Sequence, residues 1–127
     1  MPEGEFEIPQ PNDPTQSAFM DTAFSQRKIA IDSGDQAYGA IIVKGELIVG
    51  LGPSKVVVLT DPSAHAEIEA IRDACRRLGT RDLSGCVMYS TSKPCRMCET
   101  AAYWAGLERY YYGETIQDGG KPEYSSC

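Results

Sequence analysis

The chain has 127 residues, 42% of them apolar, with 18 acidic side chains against 12 basic ones and a net charge of −6. That length holds one domain, and no run approaches the ~18 apolar residues of a membrane-spanning helix. The acid surplus argues against a protein that grips a polynucleotide by its phosphates, which takes clustered Lys and Arg. The densest basic stretch, Arg72, Arg76, Arg77 and Arg81, is interrupted by Asp73 and Asp82 and reads as a solvated helix face. A secretory signal opens basic and turns apolar; residues 1–7 open acidic, so the expected compartment is the cytoplasm.

Residues 1–12 are rich in Pro, Glu and Asn and read as a loose arm before a single domain at 13–127. Asp13, Pro14 and Gln16 give a helix start: a cap, Pro at the first helical position and a capping-box Gln. That helix runs through Phe19, Met20, Ala23, Phe24, Ile29 and Ile31 towards Gly34. Residues 38–43 and 47–51 are β-rich runs around a Lys44-Gly45-Glu46 turn, which is a hairpin. Asp61-Pro62 repeats the cap-plus-Pro signal. Behind it, Ala64, Ile68, Ile71, Cys75 and Leu78 fall on one helical stripe that should face the core, and Gly79 ends it. Residues 86–90 read as a buried strand, Ser92-Lys93-Pro94 opens a third helix closed by Gly106, and residues 108–112 form a further strand. Residues 113–127 are a short polar remainder. Strand-helix-strand order calls for a crossover and a parallel pair on one edge, and the hairpin makes the other edge antiparallel. The fold class is α/β, a mixed sheet with helices on its faces.

Five cysteines in a chain expected in the cytoplasm point to metal binding or packing before disulfides. Cys75 and Cys86 sit among apolar neighbours and pack, and Cys127 stands alone. Cys95 and Cys98 form C-x-x-C, thirty positions after His65-Ala66-Glu67. Alone, a histidine at a helix start is more often a surface or capping residue than a ligand, and a lone C-x-x-C could be a redox pair or two packed thiols. Together they differ, because both lie in the first turn of a helix, where thiolate is favoured. Cys95 and Cys98 share one helix face. Two thiolates and an imidazole suit zinc, and three protein ligands leave a tetrahedral position to water, as in a catalytic site. Glu67 then has a role as the base that takes a proton from that water and returns it to a leaving group. Residues two apart on a regular helix point in nearly opposite directions, so His65 and Glu67 must sit at its very start.

His65-Ala66-Glu67 with Pro94-Cys95-Arg96-Met97-Cys98 is the H-x-E…P-C-x-x-C signature of zinc nucleobase deaminases. With Asp61-Pro62-Ser63-Ala64, Ala70-Ile71-Arg72 and Tyr103-Trp104-Ala105, the sequence resembles the cytidine/deoxycytidylate deaminase superfamily over about residues 19–113. Within it, Tyr103-Trp104-Ala105 leans towards the bacterial guanine deaminase and nucleoside deaminase branch and away from tRNA adenosine deaminases. The resemblance implies a three-layer α/β/α sandwich, a homodimer, and Zn2+ held by His65, Cys95 and Cys98 with Glu67 as proton shuttle. It implies hydrolytic deamination of a small amino-heterocycle with release of ammonia, guanine or a related purine first. Substrate contacts are expected at Ser54, Ala66, Pro94, Trp104 and Asp118, the last as an acceptor for a purine edge or else as a turn residue. Three features depart from the branch. Ser54 stands where purine-binding members usually carry Asn, Lys93 stands where Glu is common, and guanine deaminases continue into a longer C-terminal segment. The alternatives are a cytosine- or pterin-type substrate, adenosine in tRNA, a zinc-binding scaffold without turnover, and a thiol redox protein.

Overall fold

The structure is a computed structural model that describes residues 7–123. The elements run α1 (Gln16–Asp32), β1 (Gly39–Lys44), β2 (Leu47–Pro53), α2 (Ala66–Leu78), β3 (Cys86–Ser90), α3 (Arg96–Ala105), β4 (Arg109–Tyr112) and β5 (Gln117–Gly120). The strands make one sheet in the order β2-β1-β3-β4-β5. β1 is antiparallel to β2 and to β3, β3 and β4 are parallel across the α3 crossover, and β5 returns antiparallel on β4. This is the expected mixed sheet with one correction. The stretch read as a polar remainder supplies β5, so the parallel pair lies inside the sheet.

Side-chain alternation assigns the layers. A Cβ on Gly39 would strike backbone atoms of Ala23 and Arg27, so that face carries α1. Ala40 points the opposite way, and so does its cross-strand partner Gly52, where a Cβ would strike backbone atoms of Ala66 and Ala70. α1 and α2 therefore cover opposite faces, with α3 beside α2, which is the α/β/α sandwich. Between them Ile41, Ile42, Val43, Ile48, Val49 and Met88 are wholly buried. Cys86 is buried and Cys75 half-buried against the same core, as packing thiols.

The buried face of α2 is not the predicted stripe. It is Ala66, Ala70 and Ala74, flanked by Glu67, Glu69 and Asp73, while Ile68, Ile71, Cys75 and Leu78 are half-buried beside it. The cause lies on β2. Gly50 and Gly52 offer bare backbone, and a Cβ on Gly50 would come within 2.6 Å of the Ala70 carbonyl oxygen and 2.8 Å of the Ala74 Cβ. Only methyl side chains fit a helix that close to a strand.

Three helix starts shift. Thr15, rather than Asp13, caps α1, its hydroxyl accepting from the Ala18 N–H at 3.1 Å. Asp61 instead closes a turn, its carboxylate accepting from the Ser63 N–H at 2.9 Å and hydroxyl at 2.7 Å. α2 starts later, with His65 as N-cap, and α3 likewise with Cys95. Residues 1–6 of the expected arm, and Cys127, lie outside the described residues. Within residues 7–12, Ile8 is buried and Gln10 is tied to β2. The Gln10 carboxamide accepts the Ile48 N–H at 2.8 Å and donates to the Ile48 carbonyl at 2.9 Å, covering the sheet's outer edge. Among the described residues no helix is long and apolar enough to cross a membrane.

Candidate metal centre and adjoining pocket

His65 and Cys95 hold the same station on two neighbouring helices. Each is an N-cap with extended backbone, and neither uses its side chain to cap. An N-cap ordinarily accepts from the N2 or N3 amide; here both side chains turn towards a shared point. His65 Nδ1 lies 3.6 Å from Cys95 Sγ and 3.5 Å from Cys98 Sγ. The three ligand atoms all fall within 4.8 Å of one another. A tetrahedral zinc with usual Zn–N and Zn–S lengths sets nitrogen and sulfur about 3.6 Å apart. The donor set therefore has the spacing and the chemistry zinc requires. The extended conformation of His65 (φ −61°, ψ 154°) also removes the geometric difficulty. His65 lies off the helical period, so it and Glu67 can reach one place.

Electrostatics separates the groups. Cys98 is fully buried, and burial, with Glu67 and Cys95 nearby, pushes its thiol well above the usual range. The Ile68 N–H, in the first turn of α2, donates to its sulfur and opposes that shift. A thiolate persists there only against a cation, so metal entry displaces a proton. Glu67 is 5% exposed. Burial raises its carboxyl above the ordinary value, and hydrogen bonds from its own N–H and from the Ser90 hydroxyl only partly offset that.

A cavity of about 250 Å³ opens onto this centre. His65, Ala66, Glu67 and Cys95 form its metal side, and Gln36, Tyr38, Ser92 and Lys93 complete the wall. Of the residues expected to touch substrate, Ala66 is in the wall and Pro94 is buried just before Cys95. Three others have different surroundings. Ser54 is 1% exposed and donates its hydroxyl to Asp35 at 2.9 Å. Trp104 is 69% exposed on the outer side of α3. Asp118 sits on β5 with both oxygens on Arg109, at 2.6 and 2.7 Å, and that guanidinium holds the carboxyl below its usual range. None of these three lines the cavity. The wall residues Gln36, Tyr38 and Ser92 escaped the sequence reading. Nothing in their local pattern marks them, because they meet only when the loop after α1 folds against the loop before α3.

The profile of the cytidine and deoxycytidylate deaminase zinc-binding region matches residues 13–114. The chain belongs to this deaminase family. Within the family it is 42% identical over 94 residues to the tRNA-specific adenosine deaminase of Aquifex aeolicus, covering 74% of this chain and 62% of that protein. It is 40% identical over 84 residues to the guanine deaminase of Bacillus subtilis, covering 66% of this chain and 54% of that protein. The chain thus spans less than two thirds of either relative's length. The solved guanine deaminase from Bacillus subtilis superposes with a TM-score of 0.75 at 36% identity, over 78% of this chain and 64% of that one. A structure from a study of tRNA:A34 deaminases does so equally, at 0.75 and 35%, over 77% and 71%. The family is zinc-binding, and His65, Cys95 and Cys98 are this chain's zinc-type site. The lean towards guanine deaminase does not carry over, since both branches match alike.

Proposed function

We propose that the protein is a zinc-dependent hydrolytic deaminase of a small amino-heterocycle, guanine or a related purine base or nucleoside first, and that it works as a homodimer. The observation that carries this reading is Glu67. Its carboxyl is buried beside the three metal ligands, at the inner surface of a cavity below the ~300–1,000 Å³ of larger-ligand sites. A site that only holds zinc has no use for such a group. Zinc, when bound, supplies Lewis acidity that makes water a nucleophile near neutral pH. Glu67 takes the proton from the attacking water on its carboxylate oxygen and passes it to the departing amino nitrogen, which leaves as ammonia. A carboxyl raised by burial suits both halves of that relay. Ser90 orients it by donating to the carboxylate.

Two features favour a small molecule over tRNA. The net charge is −6, and much of the basic stretch is spent internally. Arg72 pairs with Glu69 at 2.6 Å, and Arg76 and Arg77 pair with Asp73 at 3.0 and 2.8 Å. For the homodimer the support is apolar surface. Met97 and Trp104, seven residues apart and so on one face of α3, point outward, and Val57, Val58 and Leu59 are more than half exposed. The aromatic strand β4 has both edges paired, with β3 and β5, and so offers no free edge for self-association, while Tyr111 and Tyr112 stay half-buried.

The test is ammonia release by zinc-loaded protein from guanine, guanosine, cytosine, a pterin and tRNA. Turnover of one of the small heterocycles is the expected result. Turnover of tRNA alone would replace the small-molecule reading. Release from none of them would leave a zinc-binding scaffold.

A further inference from the structure

Gln36 lies in the cavity wall on the connection from α1 to β1, and the metal chemistry makes no use of it. Gln36 is exposed, and its side-chain carboxamide has no partner among the described residues. Its backbone, by contrast, is fixed. Asp35 Oδ1 accepts the Gln36 N–H at 2.8 Å and the Ser54 hydroxyl at 2.9 Å. Asp35 Oδ2 accepts the N–H groups of Val57 and Val58 at 2.9 and 2.8 Å. One carboxylate thereby fastens the loop that carries Gln36 to the loop that leads into His65. Four donors fill about the four lone-pair sites of a carboxylate, so Asp35 has no acceptor left for a ligand. Ser54 has likewise given its one donor to Asp35 and is shut away from the cavity. Of the wall residues outside the metal chemistry, Lys93 only donates, and Tyr38 and Ser92 each act through a single oxygen. Gln36 alone offers a donor and an acceptor side by side in one plane.

We propose that Gln36 is the specificity-determining residue of this pocket, reading a ring edge that carries an N–H beside a carbonyl, and that Asp35 is the positioning residue that aims it. The inference rests on the deaminase reading and narrows it. The substrate class becomes amino-heterocycles that keep a free lactam edge, such as oxopurine, oxopyrimidine or pterin bases. The adenine ring of adenosine, apart from the amino group that leaves, presents nitrogen acceptors only, and that ring edge could satisfy just one half of the carboxamide.

The experiment compares wild type, Gln36→Leu, Asp35→Asn and the double variant, all zinc-loaded, on guanine and on adenosine. Metal content, thermal midpoint and calorimetric binding of the deaminated product are followed alongside turnover. Gln36→Leu should lower kcat/KM on the lactam substrate about ten- to hundredfold, mostly through KM. It should weaken product binding in step and leave zinc content and melting unchanged. Asp35→Asn should raise KM more than it lowers kcat, and the double variant should match Gln36→Leu in KM, because Asp35 acts through Gln36. Additive KM losses would make Asp35 merely structural and overturn its part. Gln36→Leu within twofold of wild type on a substrate that wild type deaminates would overturn the inference and leave the deaminase reading standing. Wild type that releases ammonia from neither compound, nor from guanosine, cytosine, a pterin or tRNA, would overturn both.

Discussion

The Glu67 carboxyl is buried beside the candidate metal ligands at the wall of the cavity, with two consequences for that residue. Glu67→Gln keeps the shape while removing the titratable carboxyl, so zinc content should persist and kcat should fall by ~10²–10⁴. Burial also ties this group to stability in the metal-free protein. Its folded value stands above the reference 4.5. The folded state therefore holds the proton more tightly, and the stability Glu67 contributes is complete below about 4.5 and fades as pH rises through the folded value. Chelated Glu67→Gln should accordingly melt above chelated wild type at neutral pH and level with it near pH 4, in a melting series across that range. The three candidate metal ligands and Glu67 beside them could be picked out in the sequence because that chemistry calls for those side chains at helix starts. Ser54 and Asp118 could not, since their partners are chosen in space. Asp35 lies nineteen positions from Ser54 and reaches it only after β1 and β2 have paired. Arg109 lies two residues from Tyr111, the strand partner of Asp118.

At the scale of elements, the close seam between α2 and β2 sets where His65 stands. Gly52 abuts Ala66, which follows His65 directly, whereas Gly50 abuts Ala70 and Ala74 further along the helix. Gly52→Ala and Gly50→Ala should each cost about 1–3 kcal/mol in denaturant unfolding, as overpacking does. Only Gly52→Ala should also weaken zinc affinity in competition with a chelating dye; equal zinc affinity in the two variants would separate the seam from the site. This seam was hidden in the sequence. An alanine stripe carries less hydrophobic signal than Ile68, Ile71 and Leu78, and what selects it is glycine on another element. The helix starts were misread for a related reason. Asp61 is a good capping residue occupied with its own turn, while the true caps, His65 and Cys95, are poor cappers placed there for the metal. β5 escaped because Gln117–Gly120 has no intrinsic strand preference and takes its form from β4. The central strands and the crossover order were legible, since β-rich runs between turn residues admit few arrangements.

For the whole molecule, the exposed Met97 and Trp104 on α3 make the proposed homodimer testable. Sedimentation should give a dimer at micromolar concentration, and Trp104→Glu should shift it to monomer with zinc retained; an unchanged dimer would move the interface elsewhere. The link between α3 and α2 reaches further than assembly. α2 has no side-chain cap of its own, and the Ile68 amide in its first turn finds its acceptor in Cys98, a residue of the other helix. One helix therefore borrows its beginning from a neighbour made thirty residues later. Hydrogen–deuterium exchange should record the loan: Cys98→Ala ought to speed exchange at residues 66–68, across the gap, more than at the far end of α3 where the chain itself was left intact. By the same dependence, a chain that ends before α3 should show the first turn of α2 frayed, with fast exchange at residues 66–68, even where the rest of that helix is protected.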